Sequence, residues 1–157
     1  MKTLNALGRL YSLETFSMPR YVAGAGAHDS PGDAHLLDVL QDVITHQQHL
    51  ASKIAGAILL RRGRVPRATY PMEYTGLNNL ELRYLFTCML GEQRSLMDVI
   101  DELVNALRQD ESAQQVAREV RRQETAHLRV FEEICLRYPP AASRKQAADM
   151  RRWRTAA

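Results

Sequence analysis

Cysteine is scarce in this chain and badly placed for chemistry. Cys88 and Cys135 stand far apart with no second thiol near either, which argues against a disulfide scaffold and against the close thiolate pairs of a structural zinc site. Long apolar runs are missing too: no segment approaches the roughly 18 apolar residues that a membrane span needs. Nothing reads as a secretory leader, so a reducing cytoplasm is the expected location. A strong charge of one sign is also lacking. The formal net charge is +3, and part of the basic excess sits in the closing "SRKQAADMRRWRTAA", read as a solvated terminal helix rather than a nucleic-acid contact. Sustained strand alternation appears nowhere, which leaves an all-α fold.

What is present is one domain's worth of chain. With 157 residues, 45% hydrophobic and 25% charged, it has an ordinary globular composition and buries roughly two-thirds of the surface exposed by its unfolded form. Glycine and proline fall in clusters that separate long helix-period segments. The first segment runs from about Thr3 to Val22, with Leu7, Leu10, Tyr11, Met18 and Tyr21 at helical spacing and Pro19 as a kink. "AGAGAHDSPGD" breaks it. Ser30 and Pro31 read as the cap and first position of a second helix, which stops at Gly63. "RVPRATYPMEY" is a linker, because two prolines forbid a helix there. A third helix spans about Gly76 to Leu107. A fourth, capped by Asp110 or Ser112, reaches Tyr138 before Pro139 and Pro140.

Four long segments joined by a short, a long and a short connection predict a four-helix bundle over residues 1–138, followed by a basic tail or short helix over 139–157. A helix of about 28 residues is roughly 42 Å long. The dozen residues from Arg64 to Thr75 reach about 40 Å when extended, enough for one full-length crossover.

Three of these helices carry a glutamate where the apolar stripe is centred. Glu14 lies among Leu7, Leu10, Tyr11, Met18 and Tyr21; Glu92 among Leu85, Cys88, Met89, Leu96, Val99 and Leu103. Glu124 lies among Val116, Val120, Leu128, Phe131 and Cys135, with His127 on the next rung. Buried unpaired carboxylates cost several kcal/mol each or are forced neutral, so histidines, shared protons or a metal must compensate them. A helical Glu-x-x-His pair facing glutamates on other helices suits a two-metal carboxylate site, and oxygen-rich, imidazole-containing positions favour iron, or manganese, over zinc. Alone, a Glu-x-x-His pair is commonly a surface pair; two more stripe-centred glutamates make it a candidate ligand set. Glu81, Glu102, Glu119, Glu132 and Glu133 fall off the stripes, on solvated faces. Met18 and Met89 read as core filler, and the cysteines as small buried apolar residues.

The order Glu14, a histidine-bearing second helix, Glu92 and "ETAH" at 124–127 resembles the ferritin-like superfamily, closest to its bacterioferritin and rubrerythrin side, over about residues 4–138. The resemblance implies two irons held by one Glu from the first and third helices and a Glu-x-x-His from the second and fourth, reacting with dioxygen or peroxide. "LGRLYSLETFSMPRY" matches the first helix, including a tyrosine seven residues after the Glu, here Tyr21, which the resemblance places near the metals; Tyr84 is a second neighbouring candidate. The second helix departs. Its "THQQHL" offers His46 and His49 in place of Glu-x-x-His, and a register shifted by one residue places Gln47 and Leu50 there instead. The haem-ligating methionine of bacterioferritins aligns with Gln47, so haem is not expected.

Four carboxylates balance two divalent ions, whereas three leave one positive charge, favouring an extra anion or a single metal. The sequence thus points to a non-haem iron or di-iron oxidase or ferroxidase, working as a homodimer or larger homo-oligomer. An oxidase acting on an organic substrate is the near alternative. A metal-free, degenerate bundle serving as a dimeric scaffold is the alternative from a different class.

Overall fold

The structure is a computed structural model that describes residues 2–25 and 31–141. Ser30, expected as a cap, and the tail from 142 onward, expected as a short basic helix, lie outside the described residues. Within them the chain is all-helical: α1 (Lys2–Thr15), α2 (Met18–Gly24), α3 (Ala34–Leu60), a short 3-10 helix (Met72–Leu77), α4 (Leu82–Ala106) and α5 (Glu111–Arg137).

The departures from the expected boundaries each have a backbone cause. The single first helix is in fact two, broken at Phe16 and Ser17, where Ser17 is extended at φ −71° and ψ 155°. Pro19 therefore sits in the first turn of α2, where a missing N–H costs nothing, rather than inside a kinked helix. The start of α3 moves from Pro31 to Ala34 because Gly32 adopts φ 98°, a left-handed value that no helix continues through. The third helix begins at Leu82 instead of Gly76, since Asn79 at φ 62° separates it from the 3-10 helix.

At its far end α3 stops as expected, but not through glycine torsion. Arg62 takes the left-handed position at φ 55°; its N–H reaches the Leu59 carbonyl at 2.9 Å and the Gly63 N–H reaches Ile58 at 3.0 Å, the paired bonds of a Schellman ending. Gly63 is needed for space. A Cβ there would lie 2.5 Å from Leu4 Cδ2 and 2.9 Å from Ile58 Cγ2.

Two ion pairs reveal the course of the chain. Asp33, fully buried at the start of α3, accepts from Arg83 Nη2 at 2.9 Å at the start of α4. At the opposite end of the molecule Arg61, just past α3, donates to both oxygens of Asp110 at 2.7 and 2.6 Å. Asp110 also accepts from the Ala113 N–H at 3.1 Å, the N-cap expected for α5. Hence α3 and α4 run in the same direction, α5 runs against them, and the connection from Arg61 to Glu81 travels back along the length of the bundle of helices. The principal helix contacts are α1 with α3 and α4 with α5.

The apolar interior falls into two clusters. One holds Met18, Val22, Leu40, Ile44, Leu85, Phe86, Leu90, Phe131 and Ile134; the other holds Leu7, Leu10, Leu50, Ile54, Ile100, Leu103, Ala117 and Val120. Helices α3, α4 and α5 each contribute to both, while α1 belongs to the second and α2 to the first, so the α1–α2 pair and each of the other three must cross from one to the other. Burial of such side chains contributes about 1.5–3 kcal/mol apiece. No helix among the described residues is long and apolar enough to cross a membrane.

Two stability measurements test these local arguments. Asp110→Ala, which removes the cap and the Arg61 partner, should lower urea stability by about 1 kcal/mol. Arg61 and the Ala113 N–H hold the Asp110 carboxyl well below the ordinary range. Its stabilisation is therefore present above the unfolded value near 3.9 and fades as pH falls below it; the Asp110→Ala deficit should shrink in acid. Arg62→Gly should raise stability by about 1 kcal/mol by relieving the left-handed arginine.

Candidate metal centre

The crossing from one apolar cluster to the other is made by polar residues. Along α1 it is Glu14, after Leu10 and before Met18; along α3 it is Gln47, between Ile44 and Leu50. Along α4 it is Gln93, between Leu90 and Ile100, and along α5 it is Glu124 with His127, between Val120 and Phe131. All five are buried, Glu14 and Glu124 completely. Together they form a polar waist in an otherwise apolar interior.

Glu124 is the hub of this layer. Gln47 Nε2 donates to its Oε1 at 3.3 Å, and Gln93 Nε2 donates both to its Oε2 and, at 3.0 Å, to its backbone carbonyl. Gln47 is fixed in turn by the Ser17 hydroxyl, which donates to its Oε1 at 2.6 Å. The helix break before α2 is what presents Ser17 there. His127 Nδ1 lies 3.2 Å from Glu124 Oε2, off line for a hydrogen bond. Its Nε2 faces His46 Nδ1 at 3.2 Å, the two rings stack at 5.5 Å, and the Gln123 amide reaches both.

Glu14 differs from the rest because neither of its oxygens receives a hydrogen bond from a donor. Burial first, and then the neighbouring Glu124 carboxylate, push its carboxyl well above the usual range. Burial also pushes Glu124 upward, but His127, Gln93 and Glu14 outweigh it and hold the group below its ordinary value. Without another ion the pair is satisfied only if Glu14 keeps its proton and donates it to Glu124.

Of the residues expected from sequence, Glu14, Glu124 and His127 meet in the waist. His46 lies on the solvent side of α3 and touches the group only through His127. His49 is not brought to it: Gln47 and Leu50 hold the inward positions of α3, and the helical step turns His49 outward, where it is exposed. Of the two registers open for "THQQHL", the inward pair is Gln47 and Leu50.

Glu92 is displaced to the edge of α4 by its neighbour Gln93. It is half-buried, accepts a hydrogen bond from the Tyr74 hydroxyl, and is pushed upward by burial. Tyr21 donates to Asn78 Oδ1 at 2.7 Å instead of reaching the carboxyls. Tyr84 is fully buried, while Cys88 and Cys135 are half-buried. The residues missed were Gln93, Ser17 and Tyr74, while Gln47 was open only as the shifted register of the second helix. The two glutamines were findable: Gln93 stands seven residues from both Phe86 and Ile100, and the stripe test applied to glutamates picks out glutamines as well.

The donor types in the waist, carboxylate oxygen and imidazole nitrogen, suit iron or manganese, and two carboxylates balance one divalent ion rather than two. The unpartnered Glu14 oxygens and His127 Nδ1 fit such an ion. Against this, no group of three or more His, Cys, Asp or Glu among the described residues is arranged to hold a metal, so Glu14 and His127 would have to close on it. No family model, curated protein or solved structure matches the chain, and the ferritin-like resemblance rests on its residues alone.

Because Gln93 supplies two of the bonds on Glu124, Gln93→Leu should cost roughly 2 kcal/mol of stability. Gln48→Leu, on the exposed side of α3, should change it little; equal effects in urea unfolding would remove Gln93 from its orienting role.

Proposed function

We propose that this chain is a ferritin-like four-helix bundle, with α1 and α2 together as its first rod, that holds a single non-haem iron in the polar waist for oxidation by dioxygen or peroxide. The observation that carries the reading is the Glu14 carboxylate, buried beside Glu124 and His127 with no donor on either oxygen. A buried polar group left without a partner calls for an ion or a proton. One divalent ion neutralises Glu14 and Glu124 together, whereas the neutral Gln47 and Gln93 leave no charge for a second.

In this reading Glu14, Glu124 and the Nδ1 of His127 hold the metal, which when bound supplies the redox chemistry. Gln47 and Gln93 orient the Glu124 carboxylate, with Ser17 fixing Gln47. His46 Nδ1 accepts from an Nε2–H of His127 and so leaves Nδ1 free to coordinate, the support that metal-bound histidines usually have. The leucines at 59 and 60, 61% and 85% exposed at the end of α3, support pairing of two chains.

A second reading is favoured by the amide donors already seated on Glu124 and by the lack, among the described residues, of an arranged ligand group. Here Glu14 keeps its proton, the waist is metal-free, and the bundle is a dimeric scaffold.

Metal analysis separates the two. Protein purified without chelator, or reconstituted anaerobically with ferrous ion, should carry about one iron per chain, and Glu14→Gln and Glu124→Gln should each lose it while remaining folded. Folded wild type that takes up no iron or manganese would leave the scaffold. Two irons per chain would point to the full set implied by the resemblance. Slow oxidation of bound ferrous ion by dioxygen would favour an organic substrate over ferrous ion itself.

A further inference from the structure

A cavity of about 230 Å³ opens on the side of the bundle between the α1–α2 break, the long connection and α4. Its walls are largely apolar, with Leu13, Phe16, Met18 and Leu96 among them, and Gln47 and Gln93 of the waist also line it. Among the described residues that line it, Glu92 is the one charged side chain, and none is a lysine, arginine or histidine. Tyr74, also in the wall, donates to Glu92.

We propose that this cavity binds a small organic amine, with the ammonium against Glu92 and the apolar body against Phe16, Met18 and Leu96. The argument is one of charge and size. A half-buried carboxylate whose single hydrogen-bond donor is a phenol, in a pocket without cations, is compensated by a cation brought by the ligand. Burial raises the Glu92 carboxyl and the Tyr74 hydroxyl offsets part of that, so a bound ammonium would compete with a proton for the group. As to size, a cavity of roughly 150 Å³ takes one benzene; this one has room for a ring and a short amine arm. An anionic ligand is repelled by Glu92.

The inference does not rest on the iron reading, because Glu92 lies outside the waist. The probe is 2-phenylethylamine, and its neutral counterpart is 2-phenylethanol, both titrated calorimetrically into the full chain. The amine should bind at least roughly tenfold more tightly than the alcohol. Glu92→Gln should erase that preference while leaving alcohol binding and iron content unchanged. Leu96→Trp, which fills the cavity, should abolish binding of both. Failure of the amine to bind wild type at millimolar concentration, equal affinity for amine and alcohol, or persistence of amine binding in Leu96→Trp would each overturn the proposal. Should either variant unfold by circular dichroism, the comparison of the two probes on wild type still decides. Loss of iron in wild type with amine binding intact would sink the iron reading alone.

Discussion

Two carboxyl groups buried side by side in an apolar interior impose the condition that the rest of this fold answers. Neither Glu14 nor Glu124 has access to water, and two adjacent negative charges in such a place are far too costly to coexist unaided. The surroundings respond in kind. Two glutamine amides are turned on Glu124, a histidine ring stands beside it, and a serine released by a helix break holds one of the glutamines. None of the four helix faces is polar by accident at that level. Each stands between the two apolar clusters.

The waist also fixes the register of the helices. Apolar stripes alone tolerate sliding by a turn, because one leucine packs much like another. A layer in which each polar atom must meet a particular partner does not, since a helix shifted by one turn would leave buried amides and carboxyls unmatched. The end pairs Asp33–Arg83 and Arg61–Asp110 act in the same sense, tying α3 to the starts of both α4 and α5. Together they fasten the parallel pair that a long connection would otherwise leave loosely placed.

Much of this was legible in the residues. Helical periodicity and the proline clusters gave the order and course of the long helices, and the Asp110 cap was readable from its place before an apolar-periodic run. The stripe centres located Glu14 and Glu124 with His127. What was not legible turned on steps of a single residue. Whether Glu92 or Gln93 faces inward, and whether Gln47 or one of its flanking histidines does, depends on rotations of about 100° per residue, finer than a wide apolar stripe resolves. The break at Phe16 and Ser17 was hidden because helical spacing continues through it, from Glu14 to Met18 and Tyr21. Attention to glutamates alone also concealed that two inward positions are held by their neutral amides, a change that alters the charge of the layer without altering its shape.

The interruption between α1 and α2 has a consequence beyond freeing Ser17. A continuous first helix would pack its side chains against α4 along its whole length and seal that seam. The break, with Ser17 extended, instead borders an opening that is also lined by the glutamines that steady Glu124. The opening reaches Gln47 and Gln93 but not the carboxyls, which stay fully buried. The opening and the dry carboxyls thus share the two glutamines as neighbours.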